Sequence, residues 1–538
     1  YDHLLATGYF STPALYEYYT TNHQMTLNAT VNYDRTFFEK HHVSAMVGVE
    51  QNKYHQDYFM SANISYDSDA IDQLFAGSAD NANFKVNGNA VETARRSYFG
   101  RLNYDYEGKY MVSAIFRYDG SENFPSGHRW GFFPGVSAGW RISEEPFIKD
   151  NFTWINNLKL RASYGEVGND NISSFQYLTT FLSSNKPVFG NTTSSSIIPG
   201  TIPNLNVTWE RAKTWNFGLD GTLWNGMLGF EVEVFKTKRS DILCTRNSTI
   251  PNYTGMSSSN LPDENIGKVE NRGIEIQLSH SNNVGSDFYY RVSANFTYAR
   301  NKVIYMDETP WSTYDAAGNL VTDRSYMNQT GRPIGSGLYY HVIGMFRTQE
   351  DLDKYPHTKS QNLGDFILQD KDGDGQITSN DRYRSPYNTI PQIVYGITFE
   401  GKWKDFDFMV LLQGQGRARL DLGVNNDPAV GNILKSVYED SYSLTNTTAS
   451  KPKLRASYSG DYYLRKANFI RLKNVEVGYN FHGDFFSKIG ISNLRFYIGG
   501  YNLLTISPLK EIDPETNSTD LQAYPQVRVF NTGVKVTF

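Results

Sequence analysis

The chain has 538 residues and a formal net charge of −5, too small to indicate a nucleic-acid or anionic-lipid partner. One cysteine, Cys244, excludes an intrachain disulfide framework. Charged residues make up 20% of the sequence, yet aromatic residues reach 15%, with 38 tyrosines and 33 phenylalanines. This combination is typical of a transmembrane β-barrel, whose lumen is polar and whose membrane interfaces carry aromatic belts.

Alternation of apolar and polar residues predicts about fifteen strands, most of them in pairs. No apolar run approaches the roughly 20 residues that a membrane-spanning helix needs. The strands are predicted at 24–36, 43–59, 96–106, 109–120, 131–142, 157–166, 212–222, 227–238, 271–281, 286–300, 392–402, 404–416, 466–481, 492–506 and 526–538. The last ten residues, 529–538, alternate in the same way and end on an aromatic residue, Phe538. This pattern suits a strand that faces lipid on one side.

The connections between these strands are of two kinds. Tight turns are predicted at 107–108, 224–226 and 403–404. Long polar stretches lie at 60–94, 167–211, 239–270, 301–391, 417–465 and 507–525. Short and long connections alternate almost throughout, as they do in membrane barrels with short periplasmic turns and long external loops. The sequence therefore predicts an all-β transmembrane antiparallel barrel in an outer membrane.

Fifteen is an odd number of strands, whereas single-chain bacterial barrels have an even number. With a periplasmic Phe538, the first strand descends from outside, so residues 1–23 are expected in an external loop and 24–538 in barrel strands and loops. We therefore expect residues 1–538 to be the C-terminal part of a barrel whose first strands lie on a missing N-terminal part.

One loop motif has the spacing of a calcium site, within the predicted external loop 301–391. In residues 370–381, acids stand at positions 1, 3, 5 and 12 and Gly375 at position 6, where the loop must turn sharply. The predicted ligands are Asp370, Asp372, Asp374, the backbone carbonyl of Gln376, and Asp381. A hard cation, Ca²⁺ or else Mg²⁺, would hold this loop in a structural role.

Other motifs carry less chemistry. Residues 135–139 match G-x-S-x-G, but they lie inside an alternating strand and not at the strand-to-helix turn that a nucleophile elbow requires. His41 and His42 have no further ligands at zinc spacing. We therefore expect that the protein is not an enzyme. Clustered tyrosines are candidates for stacking on sugar rings, with packing as the alternative; they are Tyr16, Tyr18, Tyr19, Tyr339 and Tyr340.

Several motifs resemble the barrel of SusC/RagA-type TonB-dependent outer-membrane transporters, in the family's order and over nearly the whole chain. They include Ser97-Tyr98-Phe99-Gly100-Arg101-Leu102-Asn103-Tyr104, Arg117-Tyr118-Asp119-Gly120-Ser121, Leu158-Lys159-Leu160-Arg161-Ala162-Ser163-Tyr164-Gly165, Asn265-Ile266-Gly267, Arg471-Leu472-Lys473-Asn474 and Asp513-Pro514-Glu515.

The resemblance implies a 22-stranded barrel, of which the predicted strands are about the last fifteen. It also implies a plug domain and a TonB box, both absent from this chain, so that TonB would be engaged through the missing N-terminal part. The other implied partners are a SusD-like surface lipoprotein acting as a lid, outer-membrane lipid, and an oligosaccharide or oligopeptide substrate. The function that this resemblance implies is the barrel of an importer that takes up oligosaccharides by TonB-dependent active transport. Three alternatives remain open: the same type of transporter for oligopeptides, a passive porin or adhesin barrel, and a soluble glycan-binding β-protein.

Overall fold

The computed structural model describes residues 13–68, 70–190, 192–246, 260–308, 311–314, 317–318, 320–422, 435–483, 488–516, 524 and 526–538. Strands β1–β12 span Leu15–Phe37, His41–Asn63, Phe84–Tyr106, Tyr110–Ser121, Trp130–Arg141, Ile155–Asn169, Phe181–Phe189, Thr192–Pro199, Glu210–Leu223, Leu228–Thr245, Asp263–Val284 and Phe288–Tyr305. Strands β13–β25 span Thr313–Tyr314, Leu320–Thr322, Leu338–Tyr340, Val342–Met345, Phe366–Leu368, Arg382–Arg384, Ile393–Trp403, Phe406–Gly416, Arg419–Asp421, Leu464–Lys466, Phe469–Phe481, Asn493–Ile506 and Val529–Thr537.

Helices are few and short. The α-helices α1–α3 span Pro146–Lys149, Gln349–Lys354 and Lys435–Glu439. The 3₁₀ helices span Leu74–Ala76, Asn81–Asn83, Ile142–Glu144, Ser325–Met327, Ser379–Asp381 and Gly460–Tyr463. Over the described parts of the chain, no helix is long and apolar enough to cross a membrane.

Fifteen of the described strands form one large antiparallel sheet, in the order β1-β2-β3-β4-β5-β6-β9-β10-β11-β12-β19-β20-β23-β24-β25. Each of the fifteen predicted strands corresponds to one of these, and strands that follow one another in this order are hydrogen-bonded neighbours. The all-β prediction is therefore confirmed. The tight turns also occur where predicted: Glu107 and Gly108, with φ of 53° and 65°, close the β3–β4 turn.

The first strand begins earlier in the structure than the sequence predicts. β1 begins at Leu15, which pairs with Asn63 of β2, so residues 15–23 of the predicted external loop 1–23 are strand; residues 1–12 lie outside the described part. β1 and β2 each have 23 residues, whereas about 9–11 suffice to cross a bilayer. Backbone hydrogen bonds between strands form with or without an apolar face. The hairpin therefore extends into segments whose residues do not alternate between apolar and polar.

The chain divides into two compact units. Unit 1 comprises residues 1–104, 113–135 and 167–209, and unit 2 comprises 105–112, 136–166 and 210–538. In unit 1, Trp209 packs between Phe124 and Phe133, with ring centroids 5.0 and 5.3 Å away. In unit 2, parts of the long connections share what we call the loop core, a cluster of buried residues: Phe366, Leu368, Ile377, Ala418, Leu420, Leu422, Tyr463, Ala467 and Leu509.

The predicted long loops therefore contain structure of their own. Short antiparallel pairs form between β15 and β18, between β16 and β17, and between β21 and β22. A fully buried guanidinium, that of Arg471 on β23, donates to Asp513 and Glu515 at 2.5 Å each. These contacts attach the segment after β24 to the sheet.

Candidate functional sites

Strand β1 of unit 1 separates an apolar face from a polar one. Met25, Leu27 and Val31 alternate with polar residues and are 56%, 61% and 71% exposed. Val31 pairs with Val47 on β2, so the apolar face continues across the hairpin. In a membrane barrel such a face contacts lipid, and the opposite face lines the lumen.

Three tyrosines stand in a row on the opposite, polar face, and we call them the tyrosine ladder: Tyr16, Tyr18 and Tyr58. The rings of Tyr16 and Tyr18 stack with centroids 6.3 Å apart, and those of Tyr18 and Tyr58 with centroids 6.2 Å apart. Tyr16 and Tyr18 are 47% and 62% exposed. The rings are thus arranged against each other while their outer surfaces stay accessible.

Between the ladder and the β1–β2 turn, the same face of the hairpin is lined mainly by amides and hydroxyls. Asn52 donates to Thr26 at 2.7 Å, and the Tyr54 hydroxyl donates to Gln56 at 2.6 Å. The neutral side chains of β1 on this face are Thr20, Asn22, Gln24, Thr26, Asn28, Thr30 and Asn32. Such groups both donate and accept hydrogen bonds without carrying charge.

Not every predicted sugar-stacking tyrosine is available. Tyr19 lies on the other face of β1, because neighbouring residues of a strand point to opposite sides. Tyr340 packs against the loop core. Tyr339 is hydrogen-bonded to Asp421, and burial together with that carboxylate raises the pKa of Tyr339 to about 12. Tyr58 was not among the predicted candidates; its cross-strand position opposite Thr20 brings it to the ladder.

In unit 2, strand β10 shows the same separation of faces. The Glu233 carboxylate accepts hydrogen bonds from Arg161 and Asn216 on one side of the sheet. On the other side, Val232 and Val234 line an apolar groove of about 640 Å³ together with Leu160 and Phe217. Val232 and Val234 flank Glu233 in sequence and so point to the face opposite its carboxylate. We therefore assign the groove to lipid contact and not to substrate.

The candidate metal loop lies in unit 2, between β17 and β18. Asp370, Asp372 and Asp374 each offer one carboxylate oxygen within 4.8 Å of the others. Asp372 is nearly buried, and its Oδ2 accepts from Arg324 at 2.7 Å. Its Oδ1 is buried and has no hydrogen-bond partner among the described residues. This unsatisfied oxygen is what a cation at the three carboxylates would coordinate, because buried polar atoms normally have a partner.

The two other predicted ligands are placed differently. Asp381 is fully buried, and its carboxylate accepts from the backbone amides of Lys371 and Thr378 at 2.7 Å each. These hydrogen bonds hold the loop backbone in place, and Asp381 is not one of the three neighbouring carboxylates. Gln376 donates its backbone N–H to Asp374 at 2.8 Å and follows Gly375, whose φ of 78° makes the turn.

Comparison with known proteins agrees with this architecture. The family model described as "TonB dependent receptor-like, beta-barrel" matches residues 1–503. TonB-dependent receptor P3 of Formosa agariphila is 30% identical over 472 residues, covering 83% of this chain and 46% of the receptor. TonB-dependent receptor SusC of Bacteroides thetaiotaomicron is 29% identical over 512 residues, covering 92% and 48%. The chain thus spans about half the length of these curated relatives.

Among solved structures, the RagAB peptide importer in its "open-open" state superposes with a TM-score of 0.78 at 22% identity, covering 97% of this chain and 55% of that one. At this identity the similarity concerns the fold. The strand order, the separation of faces and the family match agree, and they exclude the soluble-protein alternative. The chain belongs to the TonB-dependent receptor-like β-barrel family, whose members are receptors of the bacterial outer membrane.

Proposed function

We propose that the chain forms the barrel of a SusC-like importer that takes up oligosaccharides by TonB-dependent active transport. Family membership and similarity to SusC support the transporter class. In this proposal the remainder of the transporter supplies the plug and the contact with TonB, and a SusD-like lipoprotein covers the external side. The chain itself has a transport role and no catalytic one.

The tyrosine ladder is the observation that favours an oligosaccharide over an oligopeptide as the substrate. The exposed rings of Tyr16 and Tyr18 and the half-buried ring of Tyr58 have the apolar surface and polar edge that suit the faces of sugar rings. The two stacked pairs offer successive platforms. The amides and hydroxyls below the ladder match sugar hydroxyl groups. A peptide brings charged termini and side chains, which bind best to groups of opposite charge. Between Tyr16 and Asn32, this face of β1 offers no charged side chain, and the paired residues of β2 add a single one, Glu50 opposite Asn28.

The experiment compares two triple variants of the purified transporter. Tyr16→Ala/Tyr18→Ala/Tyr58→Ala removes the ladder, and Tyr19→Ala/Tyr33→Ala/Phe59→Ala removes the same number of aromatic rings from the opposite face of the same hairpin. Binding of a panel of neutral oligosaccharides and a panel of oligopeptides is measured by isothermal titration. We expect the ladder variant to lose about tenfold or more in oligosaccharide affinity, since each ring contributes about 0.5–1.5 kcal/mol. The control should bind like the wild type.

An importer that binds peptides but none of the oligosaccharides would make the oligopeptide alternative correct. Equal oligosaccharide affinity in both variants would remove the ladder from the substrate site and leave the transporter class untouched. Migration of unheated samples in detergent gels reports whether each variant has a folded barrel.

We further propose that Asp370, Asp372, Asp374 and the carbonyl of Gln376 bind a structural Ca²⁺. The unsatisfied Oδ1 of Asp372 supports this proposal. Hard cations prefer several oxygen ligands on one short loop, and the ion would offset the mutual repulsion of the carboxylates. Ile377, next in sequence, belongs to the loop core, so an ordered metal loop would support the folded part of the external segment.

A further inference from the structure

The apolar side of the sheet in unit 2 also carries basic residues, at one end of its strands, that the transport function does not use. We call them the outer basic patch: Lys213, Lys236, Lys238, Arg272, Arg300 and Lys302. They lie on the ends of β9–β12 that are far from the Trp224-Asn225-Gly226 turn. We propose that this patch binds the phosphate headgroup of a lipid in the outer leaflet, with one of its acyl chains on the apolar wall beside it.

The strand register places the patch on the lipid-facing side of the sheet. Val234, which lies opposite in face to the ion-paired Glu233, pairs with Phe217 on β9 and Ile274 on β11. Two residues further along each strand, on the same face, a row of Trp215, Lys236, Arg272 and Arg300 crosses the four strands. The next row contains Lys213, Lys238, Glu270 and Lys302. An apolar row is thus followed directly by two rows with six basic side chains and one carboxylate.

The height of the patch fits a membrane interface. Lys236 lies ten residues after Gly226 in the tight turn. Ten residues rise roughly 33 Å along a strand. At the tilt of about 35–45° found in membrane barrels, this becomes roughly 25 Å, which is about the height of the apolar band. With the tight turn on the periplasmic side, the patch lies at the level of the outer-leaflet headgroups.

Internal ion pairs neutralise only part of this charge. Lys236 lies 3.0 Å from Glu270, and Lys213 lies 3.4 Å from Glu166. Arg272 and Arg300 are directly opposite each other. The Glu270 carboxylate attracts Arg272 as well as Lys302, but it is already paired with Lys236, so one carboxylate serves several cations. Like charges directly opposite on neighbouring strands are destabilising. An anion shared between the two guanidinium groups would reverse this repulsion, and phosphate suits their planar forks.

A groove of about 460 Å³ joins the basic and apolar parts. Lys236, Arg272 and Arg300 line it on one side, and Val234, Ile274 and Tyr298 line it on the other. A free phosphate or an anionic cargo would use only the basic half. A phosphate-bearing lipid uses both halves, which is why we assign the patch to a lipid.

The test compares Arg272→Ala/Arg300→Ala with Lys402→Ala/Lys404→Ala, which removes the same charge at the tight-turn end of the sheet. Each transporter is purified from outer membranes in mild detergent, and bound lipid is quantified by native mass spectrometry. We expect the wild type and the control to retain phosphorylated lipid A, and the arginine variant to retain at least about fivefold less. Unheated gel migration shows that the barrels are folded.

A second arm adds lipid to delipidated protein. Phosphorylated lipid A should bind, whereas lipid A without phosphate and inorganic phosphate alone should bind at least tenfold more weakly. Equal lipid retention in the two variants would refute the proposal. So would inorganic phosphate binding as tightly as phosphorylated lipid A, or retention of inner-leaflet phospholipid alone. Oligosaccharide binding is measured separately, so failure here leaves the proposed function untouched.

Discussion

The two carboxylate oxygens of Asp372 have different surroundings. Its Oδ2 accepts from Arg324, which lies beside the 3₁₀ helix at Ser325–Met327, and its Oδ1 is the buried oxygen without a partner. The sequence spacing identified Asp370, Asp372 and Asp374 correctly as neighbours. It could not assign Asp381, because an acid at position 12 can either ligate an ion or accept backbone amides, and only the three-dimensional loop distinguishes the two roles.

At the scale of single residues, we predict that the loop with Asp370, Asp372 and Asp374 binds calcium. Titration of chelator-treated transporter with calcium chloride should show one site, with a dissociation constant of about 10⁻⁴–10⁻³ M if it resembles extracellular calcium modules. Asp374→Asn is the informative variant, because Asp374 is exposed and its replacement leaves the loop core intact. It should weaken calcium binding about tenfold or more, whereas Asp353→Asn on α2 should not.

Proteolysis gives the second readout for calcium. Chelation, like the Asp374→Asn change, should increase cleavage within 306–392 and leave the unheated gel migration of the barrel unchanged. Wild-type protein that takes up no calcium, or takes up magnesium in its place, would contradict the assignment.

Among the elements, the strands of the sheet were predictable and the structure within the loops was not. Alternation identifies a strand wherever one face is apolar and the other polar, as in β10. It fails for residues 15–23 of β1, where both faces are largely polar or aromatic. It also misses β15–β18, whose three- and four-residue strands are held by the loop core and by long-range pairing.

The outer basic patch marks a further limit at this scale. The net charge of −5 gave no indication of a lipid partner, because composition averages over both faces and both ends of every strand. The patch becomes visible only when the register brings residues of β9–β12 into common rows. A local charge can therefore have the opposite sign to that of the chain.

The two faces of β10 provide the prediction for an element. Spin labels at Val232 and Val234 should be quenched by a lipid-soluble reagent, and labels at Glu231 should be quenched by a water-soluble one, because successive side chains point to opposite faces. Glu231 is preferable to Glu233 for labelling, since Glu233 binds Arg161. Equal quenching of both sets by either reagent would show that β10 does not separate lipid from lumen.

At the scale of the whole molecule, the alternation of connection lengths fixes the topology that the other proposals use. The sheet order confirms that successive strands of the sheet are neighbours, so the connections fall on alternating ends of the strands. Residues 60–94, 167–211 and 301–391 are then expected on the outer side, where parts of them would meet the lipoprotein lid. The long β1–β2 hairpin would bring the tyrosine ladder to that side as well.

Epitope accessibility on intact cells tests this topology. A tag inserted between Ile71 and Asp72, which are both exposed and lie between β2 and β3, should be tolerated and reached by antibody. A tag at Gly108, in the tight turn between β3 and β4, should be reached only after the outer membrane is permeabilised, because that turn joins the opposite ends of the strands. Tags at Gly226 and Lys404 are controls for the same side and should behave like the tag at Gly108. If the turn tags were labelled on intact cells and the loop tag were not, the chain would be inserted in the opposite sense, and the proposed height of the outer basic patch at the outer leaflet would be wrong.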